Sequence, residues 1–403
     1  MEKFVVAAVQ QRMRLAADLA EFEQDVRRYV RIARLKGAHL IVFPELAGLM
    51  AAPPLLSSAR ANLLKQADRG RQRQAGFWTR ATSKLAAGTA GLLGTNFDRE
   101  MARLLATDGQ ALWDAYEGLF ARLAFESGMT IVAGSLYGVD RQDGQLRNVA
   151  SVFGPQGDLL GQQARVVTSA EQGGSIVPAS GWLAISTPLG RLGLLVGPDM
   201  LYPEPARILT YQGVEMLVGV GACTQPALYH RMRLAMNARA QENQLYGLVS
   251  FLIGHNPFTS GDDQPFVGRS AIFAPVELTP RYSGIMVEAG ASQTETIIAA
   301  EWDMEALRRT WETSAVPMRH MEAVRVAAPV LSAVYQRTGG ELPAPAPASA
   351  ELPSAAPRPA LPAPATIVPP ASATDPAIAD PSDELTVARV HEADDREGEG
   401  EGN

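Results

Sequence analysis

The chain has 403 residues, 46% of them hydrophobic, and a formal net charge of −7 at neutral pH. That balance gives no basic footprint for nucleic acid or an anionic membrane surface, so neither is an expected partner and diffusible small molecules are. One cysteine, Cys223, excludes an internal disulfide framework and a multi-thiolate metal site, and fits a reducing compartment.

The N-terminus runs straight into "FVVAAVQ", without the basic and apolar regions of a secretory leader. No run reaches the ~18 apolar residues of a membrane span, so the expected location is the cytoplasm. Phe4 to Val9 reads as a strand buried on both faces. Asp18 and Glu21 have capping-box spacing, and Leu19, Phe22, Val26, Tyr29, Val30 and Ala33 recur at helical intervals as far as Gly37, a candidate helix stop. The apolar run Leu40 to Phe43 is the next strand.

Between Met50 and Ser127 lies an alanine- and arginine-rich stretch with helical spacing at Trp113, Tyr116, Phe120 and Leu123. It is too long for a plain connection and is expected as a helical insertion, about 51–127, beside the site or at a subunit contact. Strand signals return at 129–138, 148–161, 192–197, 215–222 and 246–254, with helix-like segments between them. Repeated units of this kind predict an α/β fold in which helices cover sheets, and "FGPQGD" between two apolar runs predicts a hairpin. A folded domain over 1–335 is followed by a Pro/Ala-rich, acidic tail, 336–403. Its composition cannot bury enough surface to offset ordering entropy, so it is expected to be disordered, as a solubilising tail or a protein-binding arm.

Charged side chains stand just beyond apolar runs, where open sheets present their sites: Glu45 in "LIVFPEL", Arg165 in "LLGQQARVV" with Glu171 six residues on, and Asp199 with Glu204 in "LLVGPDMLYPE". The five histidines have no metal-ligand spacing. No dinucleotide loop or Walker-type loop occurs, so neither metal nor cofactor is expected.

The blocks "VVAAVQ", "AHLIVFPEL", "TIVAGSLYG", "NVASVFGPQGDLLGQQARVV", "GRLGLLVGPDMLYPEPARIL", "NARAQENQLYGLVS", "GRSAIFAP" and "TIIAAEWDMEALRR" stand in the order and approximate spacing of the nitrilase, or carbon–nitrogen hydrolase, superfamily, which residues 4–312 resemble. The resemblance implies an αββα sandwich that dimerises so that its layers stack. It also implies a site built from a glutamate base, an oxyanion-stabilising lysine, a cysteine nucleophile and often a second glutamate. Matched to this chain, the base falls on Glu45 and the second glutamate on Glu171. The lysine position holds Arg165 and the nucleophile position holds Gly197.

Those departures bear on chemistry. Glycine has no atom that could form a thioester, and Pro198, at the position that usually lends a backbone N–H to the oxyanion hole, has none to lend. Arginine is larger, planar and permanently charged where lysine is a compact donor, and is expected to pair with Glu45 and Glu171 across the site. Pro198, Asp199, Tyr202 and Cys223 are expected to line the pocket, and the "RAQEN" block, 239–243, to support it.

The leading expectation is a pseudoenzyme that keeps a pocket for a small amide, nitrile or carboxylate, or serves as a regulatory subunit, as a homodimer. A working amidase or nitrilase using Cys223 or a water activated by Glu45 is the alternative. A scaffold that recruits partners through the insertion and tail is a third reading.

Overall fold

The computed structural model describes residues 2–52, 97–139, 144–167, 176–256, 265–316, 318 and 322–339; for 97–108, 139, 322–324 and 338 the backbone alone is described. Its strands are β1 (Lys3–Arg12), β2 (Ala38–Val42), β3 (Thr130–Val139), β4 (Leu146–Phe153), β5 (Leu159–Ala164), β6 (Ile185–Thr187), β7 (Gly190–Val196), β8 (Met216–Ala222), β9 (Tyr246–Ile253), β10 (Ala271–Phe273), β11 (Ile285–Glu288) and β12 (Thr296–Asp303). The helices are α1 (Leu19–Leu35), α2 (Phe97–Ser127), α3 (Pro203–Tyr211), α4 (Pro226–Asn243), α5 (Met304–Thr313) and α6 (Glu322–Thr338).

The strands form two leaves, ordered β12-β1-β2-β3-β4-β5 and β11-β10-β9-β8-β7-β6. They meet where the end of β1, Gln11 and Arg12, turns to pair with Leu252 and Ile253 of β9. In both leaves the central strands run parallel, so their C-terminal ends open on one side of the molecule.

β1 shows how the sequence produces the layers. Successive side chains leave a strand on opposite faces. Val6 and Ala8 therefore enter the core between the leaves, with Val42, Val132, Val196, Val218 and Leu248. Ala7 and Val9 instead meet the helices outside the first leaf. On the far side, α3 and α4 bury Leu209, Met232 and Met236 against Leu195, Leu217 and Val249 of the second leaf. Helix, sheet, sheet, helix is thus the layer order, the sandwich that the sequence pointed to. Trp302 of β12 is fully buried between the leaves, stacked on Tyr246 with centroids 5.1 Å apart.

The local signals behave as their chemistry requires. Asp18 Oδ1 accepts the Glu21 N–H at 2.8 Å, and Glu21 reaches back to the N–H of Ala17, closing the N-terminus of α1. The "FGPQGD" turn joins antiparallel β4 and β5, with Gly154 N–H donating to Asp158 O at 2.8 Å.

The stretch expected as an insertion over 51–127 divides differently. Trp113, Tyr116, Phe120 and Leu123 are buried on α2, and Phe120 packs edge-on against Phe43 at 5.3 Å, so this part belongs to the helical layer of the first leaf. The helical spacing expected for these four residues is present, and the stripe it forms is a core face. Residues 53–96 and the tail, 340–403, lie outside the described residues, as does Glu171. The layers belong to the compact unit ending at Leu331; of the unit that follows, the described residues are the last turns of α6.

Candidate functional site

Four strand ends converge where the leaves face each other. Glu45 follows β2, Arg165 follows β5, Gly197 follows β7, and Cys223 follows β8. Glu45, Arg165 and Gly197 are all buried.

The turn carrying Glu45 is fixed from both sides. Phe43 donates its N–H to Val132 O at 2.9 Å, and its ring lies between Tyr29 of α1 and Phe120 of α2. Leu46 donates its N–H to Ser135 Oγ at 3.0 Å and is held at φ +65°, a left-handed conformation that disfavours leucine. β3 presses against this turn at Gly134, where a Cβ would stand 2.1 Å from Pro44 O, so a side chain there is impossible.

So anchored, the Glu45 carboxylate meets three donors among the described residues. Asn148 Nδ2 of β4 donates to Oε1 at 2.8 Å, and the Ala222 N–H, at the end of β8, donates to Oε2 at 2.9 Å. The Arg165 guanidinium stands 3.7 Å from Oε1, an ionic contact beyond hydrogen-bond length. The expected pairing of Arg165 with Glu45 is therefore present, as a buried ion pair.

Gly197 explains how the carboxylate fits. It lies at φ +56°, and an added Cβ would stand 2.8 Å from Glu45 Oε1 and 3.0 Å from Oε2. The room that a side chain at 197 would take is occupied by the acid. Pro198 follows, half-buried, at the start of a short 3-10 turn, Gly197–Leu201, whose last carbonyl accepts a long 3.4 Å bond from Arg239 of the "RAQEN" block on α4.

Asp199, fully buried, clamps the Arg165 segment. Its Oδ1 accepts the Val167 N–H at 2.7 Å, both carboxylate oxygens accept from Val166 N–H at 3.2 Å, and Trp182 Nε1 donates to Oδ2 at 3.1 Å. Burial pushes its carboxyl above the usual aspartate range, a pull that those donors and Arg165 oppose. Arg165 itself donates its N–H to Asn148 O at 2.8 Å, which sets Arg165 beside the amide that holds Glu45.

Cys223 is 1% exposed, with its sulfur 3.1 Å from that of Met232, and burial followed by the nearby Glu45 charge pushes its thiol far up. A thiolate is the reactive form, so this environment works against nucleophilicity. Tyr202, expected in the pocket, is 48% exposed at the junction into α3, apart from the buried cluster, because the 3-10 turn rotates it outward.

Two contributors escaped the sequence reading. Asn148 carried a signal, since asparagine is depleted from strands yet heads the run "NVASVF" within β4. The Ala222 N–H carried none, because a backbone donor has no residue type.

Residues 5–312 match the family model for carbon–nitrogen hydrolase. A probable hydrolase of Bacillus subtilis, YhcX, is 29% identical over 203 residues, which cover 50% of this chain and 39% of that protein. Omega-amidase NIT2 of Xenopus tropicalis is 25% identical over 49% of this chain and 70% of its own length. Among solved structures, the carbon–nitrogen hydrolase of Helicobacter pylori G27 superposes with a TM-score of 0.56 at 19% identity, over 82% of this chain and 98% of that one. The Caenorhabditis elegans NitFhit protein gives 0.57 at 17% identity, over 80% and 66%. Among the described residues, no helix is long and apolar enough to cross a membrane. With a matching model over most of its length and the same layered fold, this chain belongs to the carbon–nitrogen hydrolase family of the nitrilase superfamily.

Proposed function

We propose that this chain uses the carbon–nitrogen hydrolase scaffold without covalent hydrolysis, as a pseudoenzyme that binds a small amide or carboxylate or serves as a regulatory subunit. The observation that carries the reading is the pair Gly197 and Glu45: no side chain exists at the nucleophile position, and the carboxylate expected to act as base fills the space instead. A solved mutant of the amidase from Nesterenkonia sp. AN1 shows covalent addition of the acetamide moiety of fluoroacetamide at its active site cysteine. Gly197 offers no atom for an equivalent bond.

The neighbouring residues support the same reading. Pro198 has no N–H to stabilise a developing oxyanion, and removing one such donor typically costs ~10²–10³ in rate. Cys223 is buried against Met232 and its thiol is pushed up, so it is poorly placed to substitute. By resemblance, a second copy of the chain is the expected subunit partner.

The test measures ammonia release by the purified full chain from a panel of small primary amides and nitriles, alongside thermal unfolding with the same compounds. Ligand-dependent stabilisation without ammonia is the expected result. Ammonia release above the buffer rate would overturn the reading, and its loss in Cys223→Ala would assign the activity to that thiol.

A further inference from the structure

We propose that the Glu45 carboxylate is the resident ligand of a built anion site, and that a small free monocarboxylate is the external molecule those donors accept when Glu45 is withdrawn. The proposal rests on the reading that Glu45 has left hydrolytic service, and it names the ligand class of the same site.

The donors come from three separate segments and engage both oxygens of one carboxylate. Asn148 Nδ2 and the Arg165 guanidinium face Oε1, at 2.8 Å and 3.7 Å, and the Ala222 N–H faces Oε2 at 2.9 Å. A neutral amide presents one acceptor oxygen to such a set, and an NH2 group would point its hydrogens at a donor. A carboxylate satisfies both sides and balances the guanidinium charge. The other buried acid here, Asp199, has its oxygens committed to Val166, Val167 and Trp182, so it does not replace Glu45.

Two features make the occupant separable from its receptor. Asn148, Ala222 and Arg165 are placed by strands β4, β8 and β5, which pair with their neighbours independently of the 43–46 turn. Glu45 itself is presented by the separate turn after β2, which is anchored through Phe43 and Leu46 and not through these donors. Glu45 thus fills the site in the unaltered chain, and an external carboxylate takes up its donors once that side chain is removed.

The experiment compares thermal unfolding of the full chain, Glu45→Ala, and Glu45→Ala with Arg165→Met, in sodium formate, sodium chloride at equal ionic strength, and acetamide. Glu45→Ala is expected to melt lower than the unaltered chain. Formate, saturating by ~100 mM, is expected to restore at least half of that loss. Chloride and acetamide restore none of it, and formate leaves the unaltered chain and the double variant unmoved. Equal shifts with formate and chloride, or a shift with acetamide matching that with formate, would overturn the proposal. Should Glu45→Ala fail to fold, its refolding yield from urea decides: recovery with formate alone supports the site, and equal yields in both salts overturn it. Ammonia release by the unaltered chain would defeat the reading above and is scored separately from these melts.

Discussion

Replacing Gly197 with alanine tests the packing at the centre of the site with a single methyl group. The new Cβ would stand 2.8 Å and 3.0 Å from the two Glu45 oxygens and 3.2 Å from the carboxyl carbon, so the acid must move. Moving it stretches the bonds from Asn148 and Ala222, and hydrogen bonds to a charged group contribute about 1.5–3 kcal/mol. Holding alanine at φ +56° adds roughly 1–2 kcal/mol. Restricting the unfolded chain returns about 0.4–1 kcal/mol. The balance is a destabilisation of roughly 2–4 kcal/mol. Urea unfolding read by tryptophan fluorescence should show a lower midpoint with an unchanged slope. A loss smaller than ~0.5 kcal/mol, the ordinary range for a harmless surface change, would refute the idea that the carboxylate occupies this space.

Other outcomes follow from the same geometry. Gly197→Cys should release no ammonia from small amides, because the thiol would lack the Pro198 N–H and would collide with Glu45; measurable turnover would show that the scaffold remains competent. Native Cys223 should resist iodoacetamide at neutral pH and react once the chain is unfolded in urea, as intact mass would show; rapid native labelling would contradict the raised thiol. Asp199 has a folded-state pKa raised above its ordinary 3.8, chiefly by burial, so the folded chain holds its proton where the unfolded chain has lost it. Its contribution is therefore most favourable below that value and declines as pH rises through the window above it. The difference in unfolding midpoint between the unaltered chain and Asp199→Asn should shift against the former over that window, and a difference that stays flat with pH would contradict the assignment.

Much of the fold was legible because its signals are local. The valine-rich runs, the Asp18 cap and the "FGPQGD" turn each specify their element within a few residues, and the alternation in β1 already encodes two buried faces. The helical spacing of α2 was legible too, but its packing on the first leaf was not, because its partner, Phe43, lies far away in sequence. That position 197 offers no side chain and position 198 no backbone N–H was also legible, since neither depends on conformation. What filled the gap was not. Whether Glu45 turns toward position 197 depends on a strained Leu46, an asparagine from β4 and a backbone N–H from β8, and only the folded chain brings these together.

The central claim is that no covalent adduct can form at the strand end after β7. Intact-mass spectrometry of the full chain after prolonged incubation with fluoroacetamide tests it directly. The account predicts an unmodified mass; a stoichiometric adduct mapped by peptide analysis to a residue of this site would contradict it.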